Sequence, residues 1–184
     1  MRIIAGKYRG SVLADVGEGD VGAHLRPTSD RVRESLFSML THHDVIIGAR
    51  VLDLFAGTGA LGLEALSRGA EDVCFVENGR VAQRLITQNI EKLRATAETT
   101  LMRNDATGLG AWIAAPFDLV FLDPPYGKGL GQLALTTARD GGWFAPDAMI
   151  VWEENAPMNA PDGFKRIDKR KYADTHVTLL CRTV

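Results

Sequence analysis

Two cysteines and four histidines are all the soft ligands in this 184-residue chain. No histidine stands at metal-ligand spacing from a cysteine or a carboxylate, so no metal centre is expected, and His24, His42, His43 and His176 read as surface or loop residues. Cys74 and Cys181 lie inside apolar runs (Val73–Val76 and Leu179–Cys181) and read as buried free thiols of a reducing compartment. The chain also lacks a long hydrophobic run. Nothing approaches the length of a membrane helix, and no secretion-signal core follows Met1–Lys7, so a cytoplasmic protein with no membrane partner is expected. Positive charge is not in excess: 21 Lys and Arg stand against 23 Asp and Glu, a net charge of −2. A polyanionic partner must then be held by local patches and not by the field of the whole molecule. Internal repeats and low-complexity segments are absent as well.

What remains is an ordinary globular composition, 46% hydrophobic and 24% charged. Length predicts one domain over residues 1–184, with a hairpin-and-loop extension over 1–30 and an α/β core over 31–184. In the extension, Ile3-Ile4 and Ser11-Val12-Leu13 are short extended stretches around a turn at Gly6-Lys7-Tyr8-Arg9-Gly10. Val16 to His24 reads as a loop. A helix follows Pro27, N-capped by Ser29 or Asp30, with Val32, Leu36, Phe37 and Leu40 on one face.

From Gly48 to Pro157 apolar strands alternate with helical periods. Strands are predicted at Val51–Phe55, Val73–Val76, Thr100–Met102, Leu119–Leu122 and Met149–Trp152, with helices over Ala60–Arg68 and from Val81 to Leu93. Continuous apolar strands in strict alternation with helices imply a parallel sheet covered on both faces. Residues Lys165–Tyr172 and Val177–Cys181 read as a final antiparallel hairpin turning at Ala173-Asp174. The fold class is thus α/β, Rossmann-like, with a mostly parallel seven-stranded sheet. Trp112, Trp143 and Trp152 are assigned to the core.

Asp53-Leu54-Phe55-Ala56-Gly57-Thr58-Gly59 follows a strand and opens a helix, and with Gly62 it satisfies G-x-G-x-x-G. That fingerprint alone suggests a dinucleotide whose pyrophosphate sits at the helix N-terminus, with Glu77 on the ribose. Asp53 argues otherwise, because a carboxylate beside a pyrophosphate repels it, whereas it attracts an amino-acid ammonium. S-adenosylmethionine carries that ammonium and a sulfonium and has no phosphate. Asp105, within Asn104-Asp105-Ala106 after the third strand, is placed to meet an adenine amine. Three acids at successive strand ends match an adenosine with a cationic tail. The competing reading, ordinary strand-end turn and cap residues, fits any one of them taken alone.

Asp123-Pro124-Pro125-Tyr126 follows the strand Leu119–Leu122 and is the most specific signal in the chain. An amine conjugated to a base ring is a poor nucleophile because its lone pair is delocalised. The Asp123 carboxylate and the Pro124 carbonyl can accept its two N–H groups and favour a pyramidal nitrogen. The consecutive prolines restrict the backbone that carries these acceptors, and the Tyr126 ring offers a stacking face.

A glycine loop followed by D-P-P-Y resembles the Rossmann-like amine methyltransferases of DNA, RNA and protein glutamine. Met1–Gly10, Leu25–Glu34, Val51–Ala70 and Phe117–Gly127 together resemble, nearly end to end, the bacterial small-subunit ribosomal RNA guanine-N2 methyltransferase family called RsmD. The resemblance implies an S-adenosylmethionine-dependent methyltransferase fold and transfer of methyl to the N2 amine of one guanine in 16S rRNA. It implies a cytoplasmic, monomeric enzyme acting within an assembling 30S particle. It assigns catalysis to Asp123, Pro124, Pro125 and Tyr126. The cofactor would fall to Thr28, Asp53, Ala56, Gly57, Thr58, Gly59, Glu77, Asn78, Asn104, Asp105 and Ala106. In the family the segment from Arg26 to Arg33 closes over cofactor and base. Gly79 departs from the pattern, where relatives more often carry a polar or charged residue.

Arg2, Lys7, Arg9, Arg26, Arg31 and Arg33 are the candidate substrate-binding cations. A second basic group, Lys165, Arg166, Lys169, Arg170 and Lys171, serves equally well as phosphate binder or as charge guarding a sheet edge. Three other functions stay open. A DNA or RNA adenine-N6 (or DNA cytosine-N4) methyltransferase would use the same tetrapeptide, although the DNA enzymes usually carry a recognition domain for which there is no room here. An NAD-dependent oxidoreductase would use the glycine loop, against Asp53 and without a hydride-transfer acid. A non-catalytic RNA-binding module would leave the D-P-P-Y loop unexplained.

Overall fold

Seven strands form one sheet in the order β3-β2-β1-β4-β5-β7-β6. The computed structural model describes residues 1–15, 29–172 and 174–183; the loop expected between Val16 and His24, and Arg26, Pro27, Thr28 and Ala173, lie outside them. The strands are β1 Arg50–Leu54, β2 Asp72–Val76, β3 Thr99–Met102, β4 Phe117–Leu122, β5 Phe144–Glu154, β6 Phe164–Tyr172 and β7 Thr175–Arg182. The first five run parallel, and β7 pairs antiparallel with β5 and β6. The helices are α1 Asp30–His42, α2 Ala60–Ser67, α3 Arg80–Leu93 and α4 Leu130–Asp140.

Two apolar layers cover the sheet. On one face α1, α2 and α3 contribute Phe37, Leu63, Ile86 and Ile90 against Val51, Phe121 and Val151. On the other, α4 contributes Ala134, Leu135 and Ala138 against Leu52, Val120 and Ile150. The chain reverses direction between β1 and β4, and that switch point opens a crevice at the carboxyl ends of the strands. Trp143 and Trp152 are buried in the second layer, and Trp112 stacks on Trp143 with ring centroids 4.4 Å apart.

Most expected elements stand within a residue or two of their predicted ends. Two differences follow from tertiary context. β5 begins at Phe144, five residues early, because its start pairs with Phe117 around an irregularity before the regular register resumes at Leu119. The second is α4, which carries Thr136, Thr137 and two exposed polar residues, Gln132 and Asp140, and had no clear period. Of the two free thiols, Cys74 is buried, whereas Cys181 is only half-buried.

The N-terminal stretch is a small hairpin, with Arg2 and Val12 bridged antiparallel and Ile3 N–H bonded to Ser11 C=O at 2.9 Å. Its turn docks on α2 through polar atoms. The buried Glu64 carboxylate accepts from the amides of Ile4 (2.8 Å) and Ala5 (3.1 Å) and from Arg68 Nε (2.7 Å). Ser67 Oγ accepts from the Tyr8 amide at 2.9 Å and donates to Ala5 C=O. At Gly6 a Cβ would lie 1.7 Å from Ser67 O, so only glycine lets the turn come this close. Arg33 is fully buried under the hairpin, bonded to Arg2 C=O and to Asp30 Oδ1 (2.7 Å), with Nη1 4.0 Å from Glu64.

Removing Glu64 takes the acceptor from the Ile4 and Ala5 amides and from Arg68 Nε, and takes one of two carboxylates from the buried Arg33. Glu64→Ala is therefore expected to cost about 3–5 kcal/mol of unfolding free energy. Urea denaturation reads it, and a loss below about 1 kcal/mol would show that the hairpin docks without this carboxylate.

Candidate active site

The turn after β1 opens the site. Phe55 (φ +60°), Gly57 (φ +58°) and Gly59 (φ +77°) all take left-handed backbone, a costly conformation for the phenylalanine that concentrates irregular geometry at this corner. Asp53, only 2% exposed, accepts at Oδ2 from the Gly62 amide at 2.9 Å in the first turns of α2. A Cβ on Gly62 would meet Phe75 at 2.5 Å and Val73 at 2.7 Å, so this third glycine serves close helix–strand packing. Burial pushes the Asp53 carboxyl up to about 8, Glu77 adds to the rise and the Gly62 N–H opposes it. Asp53 thus braces the loop from behind, and its field reaches the crevice.

Glu77, one residue beyond β2, spans two loops. Its Oε2 accepts from Gly57 N (2.9 Å) and its Oε1 from Gly79 N (2.7 Å). The Gln83 side chain holds the Glu77 carbonyl at 2.9 Å. Asp105 is exposed and caps a short 3-10 turn, its Oδ1 accepting from both the Thr107 amide (2.8 Å) and hydroxyl (2.7 Å). The Thr107 hydroxyl and amide hold its carboxyl below the ordinary range, with Asn78 assisting. The local cap reading therefore accounts for one oxygen of Asp105. Asn78 and Asn104 are exposed, and Ala56, Thr58 and Ala106 are buried.

Asp123, Pro124, Pro125 and Tyr126 form the loop after β4, anchored where Asp123 N meets Leu54 C=O at 3.4 Å. Pro124 is buried, Pro125 exposed and Tyr126 half-buried. Burial raises the Asp123 carboxyl well above its usual range, and Glu153, Asp53 and Glu154 raise it further. Burial likewise lifts the Tyr126 phenol, whose O–H lies 3.0 Å from Glu153 Oε1 and 3.4 Å from Thr175 Oγ1. Glu154 accepts from Gly127 N at 3.3 Å through both oxygens. The end of β5 therefore grips the loop by a side chain and by a backbone amide.

Glu153 and Glu154 escaped the sequence reading, which ended their strand at Trp152. The signal was present, since acids at the ends of the first four parallel strands have a counterpart at the end of the fifth. Asn89 escaped too. Buried in α3, it bonds Ala14 N (2.6 Å), Ala14 C=O (3.2 Å) and Thr58 C=O (3.0 Å), tying the N-terminal stretch to the glycine loop. An asparagine inside an amphipathic helix carries no such message by itself.

The candidate cations scatter. Arg33 is not available at a surface: it is fully buried and ion-paired with Asp30 and Glu64, because the hairpin covers it. Lys7 pairs with Glu98, just ahead of β3, and Arg9 shares the turn that packs against the end of α2. Both sit at the edge opposite Asp123. Arg2 is exposed and pairs with Asp30. Arg31 is exposed, beside Tyr172 at the tip of the final hairpin. Arg26 and Thr28 lie outside the described residues.

A carboxyl that holds its proton more tightly when folded contributes stability that is complete below its unfolded value, about 3.9, and is lost as pH rises through its folded value. For Asp53, with Asp123 acting in the same direction, the unfolding midpoint of the ligand-free protein is expected to fall between about pH 5 and about pH 8. Asp53→Asn is expected to flatten that slope in denaturant titrations. A midpoint that stays constant or rises over the interval would contradict the buried-carboxyl assignment.

This arrangement has close relatives. The profile of the family described as Conserved hypothetical protein 95 matches residues 1–181. Ribosomal RNA small subunit methyltransferase D of Escherichia coli (strain K12) is 38% identical over 161 residues, covering 88% of this chain and 78% of that protein. The protein of the same name from Haemophilus influenzae is 34% identical over 178 residues, covering 92% of this chain and 88% of its own. The solved structure of yhhF from Escherichia coli superposes with a TM-score of 0.84 at 34% identity, over 100% of this chain and 98% of that one. More distantly, a magnesium protoporphyrin IX methyltransferase from Synechocystis, solved with bound SAM, shares the fold at a TM-score of 0.63 and 14% identity, over 88% of each chain. The α/β fold is thus the Rossmann-like fold of methyltransferases, and the chain belongs to the RsmD-like family.

Proposed function

We propose that this protein is a ribosomal RNA methyltransferase that carries methyl from S-adenosylmethionine to the exocyclic N2 amine of a guanine in 16S rRNA. The observation that carries the reading is Asp123, a half-buried carboxyl with no hydrogen-bond partner among the described residues, on a loop gripped by Glu153 and Glu154 beside the glycine turn. The rRNA small-subunit names of the relatives support the substrate class.

The donor set fits a cationic adenosine. Among the described residues, Asp53, Glu77, Asp105, Asp123 and Glu154 form no ion pair with Lys or Arg, and no group of three His, Cys, Asp or Glu is arranged to hold a metal. Carboxylates that repel one another and lack cations favour a ligand with positive charge and disfavour a pyrophosphate. When bound, S-adenosylmethionine supplies an electrophilic methyl group on a sulfonium.

The remaining work falls to the chain. Glu77 braces Gly57 and Gly79 and would keep lone pairs for ribose hydroxyls, and the second oxygen of Asp105 would accept from an adenine amine. Ala56, Gly57, Thr58, Gly59, Asn78, Asn104 and Ala106 shape the walls, and Thr28 is assigned to the cofactor. Asp123 and the Pro124 carbonyl accept the two N–H groups of the target amine, and Pro125 stiffens the turn. Tyr126 stacks on the base, its ring set by Glu153. As the new N–C bond forms the nitrogen becomes acidic, and Asp123, whose surroundings raise its proton affinity, accepts the proton. Arg2, Arg26 and Arg31 are assigned to the RNA.

Asp123→Ala is expected to lower turnover by on the order of 100-fold or more with cofactor affinity nearly unchanged, the scale for a well-placed polar group. Tyr126→Ala should weaken base binding by roughly 1–3 kcal/mol, the scale for lost stacking. Single-turnover methylation together with calorimetry separates the two effects. Near-normal turnover in Asp123→Ala would end the assignment. With a net charge of −2 the protein has little general attraction for phosphate, so small-subunit particles should be methylated faster than deproteinised rRNA. Equal rates on the two substrates would count against that docking mode.

A further inference from the structure

We propose that a shallow depression of about 340 Å³ lined by Arg80, Arg84 and Arg103 holds the phosphodiester backbone of the substrate RNA, a few nucleotides from the reacting base. The inference rests on the rRNA methyltransferase reading and deepens it. The remaining lining residues are Gln83, Thr87 and Gln88, so three guanidiniums share one hollow without a single acid.

Several arginines elsewhere in this protein are neutralised by a neighbouring acid. Arg2, Arg33, Arg50, Arg68, Arg139 and Arg170 each pair with a carboxylate. Among the described residues Arg80, Arg84 and Arg103 pair with none, although all three are exposed. Their placement carries two intrinsic penalties. Arg80 and Arg84 are four residues apart on α3, where like charges face each other and repel. Arg80 also opens that helix, and with no acid in the first turn its charge meets the positive end of the helix dipole. A bound anion relieves both penalties at once, and single-stranded RNA presents a row of them.

Position favours the substrate strand over an unrelated anion. Glu77 fixes the hollow on the edge that carries the candidate active site: it holds the amide of Gly79, next to Arg80, and donates its own N–H to Met102 C=O (3.1 Å), next to Arg103. Three strand spacings separate β3 from β4, roughly 14 Å at about 4.8 Å per strand, a reach that a few nucleotides cover. A second groove, between α1 and β6, also holds cations, Arg31 and Arg170. Its lining includes Glu34, however, and Arg170 is tied to Asp168 at 2.8 Å. The unpaired arginines are therefore the stronger phosphate site.

The test is fluorescence anisotropy of a labelled single-stranded RNA against the full chain across a salt series, with Arg84→Glu/Arg103→Glu as the variant. RNA affinity is expected to fall at least about tenfold near 0.1 M salt, and the slope of log affinity against log salt to become shallower by about 1–2. Affinity for S-adenosylmethionine should stay within about twofold by calorimetry, and Arg84→Lys/Arg103→Lys should restore most of the RNA binding. Unchanged RNA affinity and slope in the reversed variant overturn the proposal. So does loss of binding in Arg170→Glu with none in Arg84→Glu/Arg103→Glu, which would move the RNA to the α1–β6 groove. If the wild type binds RNA through these arginines but methylates no small-subunit rRNA, the substrate reading fails and the surface stands. If it methylates rRNA while the reversals change neither affinity nor slope, only the surface fails.

Discussion

Carboxylates crowd the carboxyl edge of the parallel strands, and among the described residues no lysine or arginine pairs with Asp53, Glu77, Asp123 or Glu154. Asp53 is the last residue but one of β1, Glu77 follows β2, Asp123 follows β4 and Glu154 ends β5, and parallel pairing in register brings these strand ends side by side. Burial first, and then repulsion between like charges in a half-dry crevice, raises the proton affinities of Asp53 and Asp123. The fold tolerates the arrangement because the sheet is covered by apolar layers on both faces and because backbone amides are spent on the acids. Gly62, Gly57, Gly79 and Gly127 each donate an N–H to one of them. The glycine turn and the D-P-P-Y loop are thus held by the same charges that a cationic ligand would satisfy.

The N-terminal hairpin uses a different device. A segment this short cannot bury enough apolar surface to dock by hydrophobic contact, although Ile3 and Leu13 do reach the core. It docks chiefly through Glu64, Ser67 and Arg33, each with partners in the hairpin backbone. Three of the six cations that resemble an RNA surface in one dimension, Arg33, Lys7 and Arg9, are consumed by this docking or carried to the far edge. Arg33 is the clearest instance, since a helix face that buries Leu36, Phe37 and Leu40 also buries the arginine one turn ahead of them.

Periodicity and punctuation were enough for the parallel strands, three of the four helices, the N-terminal hairpin and the order of the motifs. Each rests on local rules: Ser29 capping α1 through the Val32 amide, Gly69 stopping α2, apolar strands buried on both faces. The acids at the first strand ends were legible for the same reason, because a residue that follows a buried strand must emerge at its carboxyl edge. α4 was not, as its small and polar residues only find an apolar face once Trp152 and Phe144 lie beneath it.

The sequence by itself determined that this is a Rossmann-like sheet with a glycine turn and a D-P-P-Y loop on one edge, since both motifs are contiguous in the chain. Tertiary structure decided which charges remain free to act. Whether Arg33 faces solvent or Glu64, whether Glu153 points at Tyr126, and whether Arg80 and Arg84 share a hollow with Arg103 are matters of partners 19 to 31 residues apart. Charge in a protein is defined by its nearest counter-charge and its distance from water, and neither is written in the order of the residues.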